Sequence, residues 1–235
     1  MRAIGMYGYV DKYDLVMAVA KTITIMGRSV LVVDATSDNK YKYIVPSISN
    51  DIRYVTQYGE VDFAIGFNSY EELLQYMNEH GIDIEKYSYV LFDVENVDKY
   101  KAFSSKQMDK SYLFIASNLV SVNKTEEIVR SMREYYPENE VVFTRVFYKS
   151  YMTRAANNYL EEKVSNYGVK WSDEVYDVSI DEQDNMVNID SQYSGFIDVR
   201  KHTKQYIFYL CEFVSKLMGD EDSKTILKEI KRRKN

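Results

Sequence analysis

Apolar and polar residues follow two rhythms along this chain, runs of consecutive apolar positions and stripes repeated every three to four residues, and the two alternate from end to end. Ala3 to Tyr7 reads as a short strand. From Lys12 to Met26, the positions Leu15, Val16, Val19, Ile23 and Met26 keep helical spacing, and Gly27 ends the helix. Val30-Leu31-Val32-Val33 is an unbroken apolar run before Asp34, as expected of a strand covered on both faces. Residues 52–67 read as one or two strands around Gly59. Ser69 with Glu72 forms a capping box that opens a helix to about Glu79, with Gly81 as its stop.

The stretch "YSYVLFD", Tyr87 to Asp93, is a third buried strand ending in aspartate, and "SYLFIA", Ser111 to Ala116, is a fourth. Asn123 and Glu126 give a second capping box, predicting a helix through about Tyr135, followed by a strand from Glu140 to Phe147. A helix is expected over Tyr151 to Val164, a short strand over Val175 to Ile180, and a last helix over about Thr203 to Met218. This alternation predicts an α/β fold: a three-layer sandwich with a mostly parallel central sheet and helices on both faces. Ligands in such folds sit beyond the carboxyl ends of the strands, where Gly8, Asp34 and Asp93 fall. Residues 1–222 read as a single domain and residues 223–235 as a basic C-terminal tail.

Composition narrows the function classes. The formal charge is −6 with a pI near 5.2, so a surface devoted to nucleic acid is not expected. Cys211 is the one cysteine and His80 and His202 the two histidines, which excludes an intrachain disulfide and a zinc cluster of ordinary spacing. The N-terminus lacks the apolar core of a secretory signal, and no apolar run approaches the ~20 residues of a membrane span. A cytoplasmic location is the expectation. The 23 tyrosines read as packing residues with polar tips.

The chemistry centres on the turn between the first strand and the first helix, Gly8-Tyr9-Val10-Asp11-Lys12-Tyr13-Asp14. With "VLVVDAT" and "YSYVLFDVEN", this layout resembles the MinD/ParA branch of P-loop ATPases, including TadZ-type proteins, and "VSIDEQDNMVNIDSQYSGFID" is similar to the stretch before the last helix in TadZ-like members. The resemblance spans most of the chain. It implies a P-loop NTPase-like fold, with Gly8 and Lys12 on the glycine and lysine of the family's KGGxGKT loop, Asp34 on the first aspartate of its VDAD strand, and Asp93 on its Walker B-type aspartate. It also implies homodimers.

In the same register, Asp11 replaces the glycine before the lysine, Tyr13 and Asp14 replace the two hydroxyl residues, and Tyr7 replaces the lysine that marks the branch. A working loop wraps phosphate with backbone N–H groups and gives Mg²⁺ a Ser or Thr oxygen. A carboxylate about 4 Å from one phosphate charge is repelled by about 4 kcal/mol at an effective dielectric of 20. A tyrosine phenol lies too far out to stand in for threonine on magnesium. The expectation is therefore a vestigial nucleotide site formed by Gly8, Asp11, Lys12, Tyr13, Asp34 and Asp93, with no catalytic residues and no resident cofactor or metal. The implied role is a scaffold or localisation factor for a pilus, secretion or positioning machine. The alternative is an ATPase switch holding ATP and Mg²⁺ through Lys12, Asp34 and Asp93.

Without the resemblance, these residues read as ordinary fold elements: Lys12 as a solvated first-turn residue, Asp11 or Asp14 as a partner of the helix N-terminus, and Asp34 and Asp93 as polar strand ends. The acids Asp173, Glu174, Asp177, Asp181, Glu182 and Asp184 lack the spacing of a calcium loop and read as a solvated face or loop. His202 reads as a surface or capping residue. In the tail, Lys224, Lys228, Lys231, Arg232, Arg233 and Lys234 stand against Glu229. Ile226, Leu227 and Ile230 share one helical face. The tail is thus either a frayed solvated end or an amphipathic helix that meets partners or an anionic membrane surface.

Overall fold

A computed structural model describes residues 1–46, 51–103, 107–135 and 142–233. Its strands are β1 (Arg2–Tyr7), β2 (Val30–Ala35), β3 (Tyr54–Tyr58), β4 (Val61–Ile65), β5 (Tyr89–Val94), β6 (Lys110–Ile115), β7 (Val142–Tyr148) and β8 (Lys170–Val178). Its α-helices are α1 (Tyr13–Ile25), α2 (Tyr70–Glu79), α3 (Val97–Phe103), α4 (Leu119–Tyr135), α5 (Arg154–Val164), α6 (Glu182–Ser194), α7 (Lys204–Met218) and α8 (Ser223–Arg232). The strands form one sheet in the order β3-β4-β2-β5-β1-β6-β7-β8. Only the β3–β4 pair among them is antiparallel.

The pleat distributes side chains to two cores. Ile4, Met6, Val30, Val32, Leu91 and Phe114 pack on one face against α1, α7 and α8, while Ala3, Tyr7, Leu31, Val33, Phe92 and Leu113 pack on the other against α2 to α5. Because alternate residues share a face, Asp34 and Asp93 both point to the α1 side, and the β2–β5 register sets them directly opposite each other. The expected three-layer α/β sandwich is what forms.

Several expected elements shift for local reasons. Residues 52–67 resolve into the hairpin β3–β4. Its turn residues Gly59 and Glu60 have φ of 59° and 71°, the doubly left-handed geometry that matches strand twist. Helix α4 begins at Leu119, ahead of the Asn123 box, because the Asn118 side chain accepts from the Ser121 backbone N–H at 2.9 Å and caps the helix there. Strand β8 starts at Lys170, five residues before its expected start, and residues 140 and 141 of the expected strand lie outside the described residues. Two helices escaped the sequence pattern, the short α3 and α6. The acids expected to be solvated include the α6 start: Asp181 and Asp184 form a reciprocal capping box, with Asp184 buried.

The tail also requires correction. Residues 223–232 form α8, capped by Asp222, with Ile226 and Ile230 buried against the α1–α7 layer and Leu227 packed beside them. The apolar stripe expected to be frayed or to enter a leaflet is thus covered by the chain itself. Lys228, Lys231, Arg232 and Arg233 remain exposed; Lys234 lies outside the described residues. Among the described residues no helix is long and apolar enough to cross a membrane. If α8 is part of the core, Ile226→Ala costs about 2–5 kcal/mol of unfolding free energy in urea titrations, whereas an appendage would lose less than about 0.5 kcal/mol.

Candidate functional site

The loop after β1 approaches the sheet so closely that only glycine serves at its first position. Gly8 has φ +135°, and a Cβ there would meet the Phe114 carbonyl oxygen at 2.2 Å. Its N–H donates to the Val94 carbonyl at 3.1 Å, which ties the loop to the end of β5. The chain then passes the half-exposed Tyr9 and turns Lys12 inward to the N-cap position of α1.

Lys12 is 2% exposed, contrary to its reading as a solvated first-turn residue. Its ammonium donates to the Gly8 carbonyl at 2.9 Å and the Val94 carbonyl at 3.4 Å, and lies 2.7 Å from Asp93 Oδ1, a charge contact off the hydrogen-bond direction. The Phe114 ring lies beneath it at 5.8 Å. On the other side of Asp93, Oδ2 accepts from the Tyr41 hydroxyl at 2.8 Å. Tyr41 is wholly buried, and burial, then the Asp93 charge and its hydrogen bond, push its phenol well above the ordinary range.

Asp34, in register beside Asp93, is also satisfied from within. Its Oδ1 accepts from the Thr36 hydroxyl at 2.6 Å and backbone N–H at 3.1 Å, and its Oδ2 accepts from the Tyr41 backbone N–H at 3.1 Å. Burial raises its pKa to about 6, opposed by the Thr36 bonds and reinforced by the Asp93 charge.

Asp11 turns outward, where Lys40 reaches it at 3.2 Å and Glu95 at 2.8 Å. Burial opposes the Lys40 charge, but hydrogen bonding and attraction to Glu95, with Asp11, outweigh it and hold the ammonium above its usual pKa. Glu95 is correspondingly lowered: burial opposes its charge and is outweighed by Lys40 and the Ser37 N–H.

Asp14 takes the helix-terminus role, its Oδ1 accepting from the Leu15 N–H at 2.9 Å. The same carboxylate receives the Tyr148 hydroxyl at 2.8 Å, the Lys149 ammonium at 2.5 Å and the Asn188 amide at 3.2 Å, so it joins α1 to β7 and α6. His202, expected at the surface, is buried with Nε2 2.9 Å from Asn188 Oδ1 and its ring stacked on Tyr206. Burial lowers its pKa, against the attraction of Asp184 and other acids. Tyr13 is half-buried against the α1-side core, with Gln192 at 3.4 Å from its hydroxyl. Tyr7 is buried on the opposite face, edge-on to Tyr100 and Phe143.

The predicted residues Gly8, Lys12, Asp34 and Asp93 thus converge, while Asp11 and Tyr13 point away into separate contacts. Tyr41, Lys40, Glu95, Tyr148, Lys149 and Asn188 were missed, since each acts across a long sequence separation. Glu95 alone left a local hint, two residues beyond Asp93. This arrangement does not fit a magnesium nucleotide as it stands: Asp34 accepts protein donors on both oxygens, Asp93 is held by Tyr41 on one oxygen and by the Lys12 charge on the other, and Lys12 would have to leave Asp93.

Two measurements check this electrostatic picture. Lys12→Met strands Asp93 in the core, so about 3–5 kcal/mol of unfolding free energy is lost, and Lys12→Met/Asp93→Leu recovers most of it; a loss below about 1 kcal/mol would show a solvated lysine. Asp34, with a folded pKa of about 6 against the ordinary 3.8, gains a proton on folding between those values. Its contribution to stability therefore falls as pH rises from about 4 to about 6. A carboxyl ¹³C titration is expected to show its midpoint near 6, and a midpoint at or below about 4 would contradict the burial argument.

No protein-family model matches the sequence, and no curated protein matches it. Solved structures match in shape. The MinC:MinD cell division complex of Aquifex aeolicus aligns at TM-score 0.55 and 13% identity, over 94% of this chain and 97% of that one. A variant of Cyanothece McdA in complex with ATP aligns at 0.54 and 11%, covering 94% and 98%. A plasmid partition protein of Borrelia burgdorferi, described as putative and bound to AMPPNP, aligns at 0.53 and 13%, covering 92% and 98%. At these identities the likeness is one of fold: the chain has the mostly parallel, helix-covered sheet of the MinD/ParA P-loop NTPases.

Proposed function

We propose that this protein is a MinD/ParA-like scaffold or localisation factor with a degenerate phosphate loop, of the TadZ type, that helps place or assemble a larger machine such as a pilus or secretion system. One observation carries the reading: the Lys12 ammonium, the group that would meet outer phosphates, is buried on Asp93 and two backbone carbonyls. Nucleotide binding would have to break that pair and leave Asp93 without its cation. Hydrolysis by the family route also lacks a Ser or Thr at position 13, since the Tyr13 phenol lies too far out to meet Mg²⁺ and faces Gln192 instead.

In this reading the chain pairs with a second copy of itself and with protein components of the machine, in the cytoplasm or at the inner face of a membrane. Nucleic acid is not among the proposed partners, in keeping with the acidic net charge. Any membrane or partner contact by the tail rests on Lys228, Lys231, Arg232 and Arg233, whose side chains are exposed while the apolar stripe of α8 is covered.

The second reading, a nucleotide-dependent switch, is favoured by the AMPPNP and ATP in the names of two fold neighbours. Calorimetric and thermal-shift titrations with ATP and ADP, with and without Mg²⁺, separate the two. The scaffold reading expects no saturable heat and no dose-dependent stabilisation. Saturable binding to the wild-type chain, lost in a folded Lys12→Ala variant, would establish the switch instead.

A further inference from the structure

At the opposite end of α1, away from the aspartates, a cavity of about 250 Å³ opens where the β3–β4 turn, the segment before α7 and the last turn of α8 meet. Its walls are apolar, with Ile25, Phe196, Val199 and Ile230 among them. Its charges fall in two groups: Asp198 and Arg200 neutralise each other at 3.0 Å, and Lys21, Glu60 and Arg233 meet at a second point. Lys21, 4% exposed, donates to the Gly59 carbonyl at 2.9 Å and lies 5.5 Å over the Phe196 ring. Glu60 closes the cation: its Oε2 lies 2.6 Å from Lys21 Nζ and 2.7 Å from Arg233 Nη1.

Glu60 holds this position on weak terms. It sits at φ +71° on a two-residue turn, and its side chain is 58% exposed, so one solvated, rotatable side chain neutralises a buried lysine and the arginine that caps α8. The carboxylate is lowered in pKa, first by its hydrogen bond to Lys21, with burial opposing and the Lys21 and Arg233 charges reinforcing it. A buried ammonium keeps its charge only while an anion or several acceptors satisfy it. The side chain that now satisfies it shows what group the geometry accepts, a carboxylate oxygen shared between an ammonium and a guanidinium.

The geometry points to a binding site for a small carboxylic acid with an apolar body, whose carboxylate replaces Glu60 on Lys21 and Arg233 and whose body fills the cavity between Phe196 and Ile230. The volume lies below the roughly 300–1,000 Å³ of drug-sized ligand sites, which limits the ligand to a compact aliphatic or aromatic acid. An amine would meet Lys21 and Arg233 with like charge. A free phosphate would leave the apolar walls empty. This site is independent of the nucleotide question, since it shares no residue with the loop or the strand-end aspartates.

The probe is benzoate, with benzamide as its neutral counterpart and inorganic phosphate as the anion without an apolar body. Binding to the full chain is followed by NMR on the Ile25 and Ile230 methyl groups. Saturable benzoate shifts are expected in the wild type. Glu60→Gln is expected to tighten benzoate at least about tenfold by removing the internal competitor, and Lys21→Met to abolish the response while the remaining spectrum stays native. Benzamide binding as well as benzoate would reduce the site to an apolar hole and overturn the proposal. So would phosphate binding without benzoate binding, or no saturable shift in a natively folded Glu60→Gln protein.

Discussion

The buried contact of Lys12 with Asp93 governs the arrangement of the strand ends. Removing two opposite charges from water costs several kcal/mol per ion, and their attraction offsets this only when the remaining donors and acceptors are also satisfied. That condition recruits the Gly8 and Val94 carbonyls to the ammonium and the Tyr41 hydroxyl to the carboxylate. It also makes Gly8 necessary, because the loop reaches Lys12 only by passing against the Phe114 carbonyl. Burying the whole of Tyr41 in turn folds residues 36–43 back over the sheet, with Asp34 accepting the Thr36 and Tyr41 N–H groups.

Around that pair, each acid of the site has a cation or donor brought from a distant segment. Lys40 stands between Asp11 and Glu95, and Lys149 meets Asp14. Through Asp14 the start of α1 is bound to Tyr148, Asn188 and then His202, so the helix is fixed at its first turn to the far half of the sheet and to α6. At its other end Lys21 binds the β3–β4 turn. One helix therefore spans two polar centres of opposite character: a closed set of carboxylates near its N-terminus, and near its C-terminus a cation pair neutralised by a single exposed glutamate.

Much of the frame was legible along the chain. The run Val30 to Val33, the stretch Tyr87 to Asp93 and the stripe of α1 each carry a period that only one kind of buried element produces, and Gly27 and Ser69 mark boundaries with local backbone chemistry. Strand-end positions follow from the same runs, so Gly8, Asp34 and Asp93 could be placed together before any contact was seen. Helix α6 was hidden because its buried face, Asp184, Val187 and Asn188, is largely polar and leaves no apolar stripe. The α4 start was misplaced because two asparagines offered caps, and the chain uses Asn118.

The sequence by itself determined the α/β alternation, the order of the elements and the presence of Asp11, Tyr13 and Asp14 at the turn between the first strand and the first helix, because periodicity and residue type are local properties. Which charge meets which was decided by tertiary structure alone. Lys12 had Asp11 and Asp14 beside it in sequence, yet pairs with Asp93, since the turn at Gly8 directs it inward over β5. The tail had the composition of a surface helix, yet Ile226 and Ile230 are buried, because the groove beside α1 and α7 offers them an apolar contact that no window of sequence reveals.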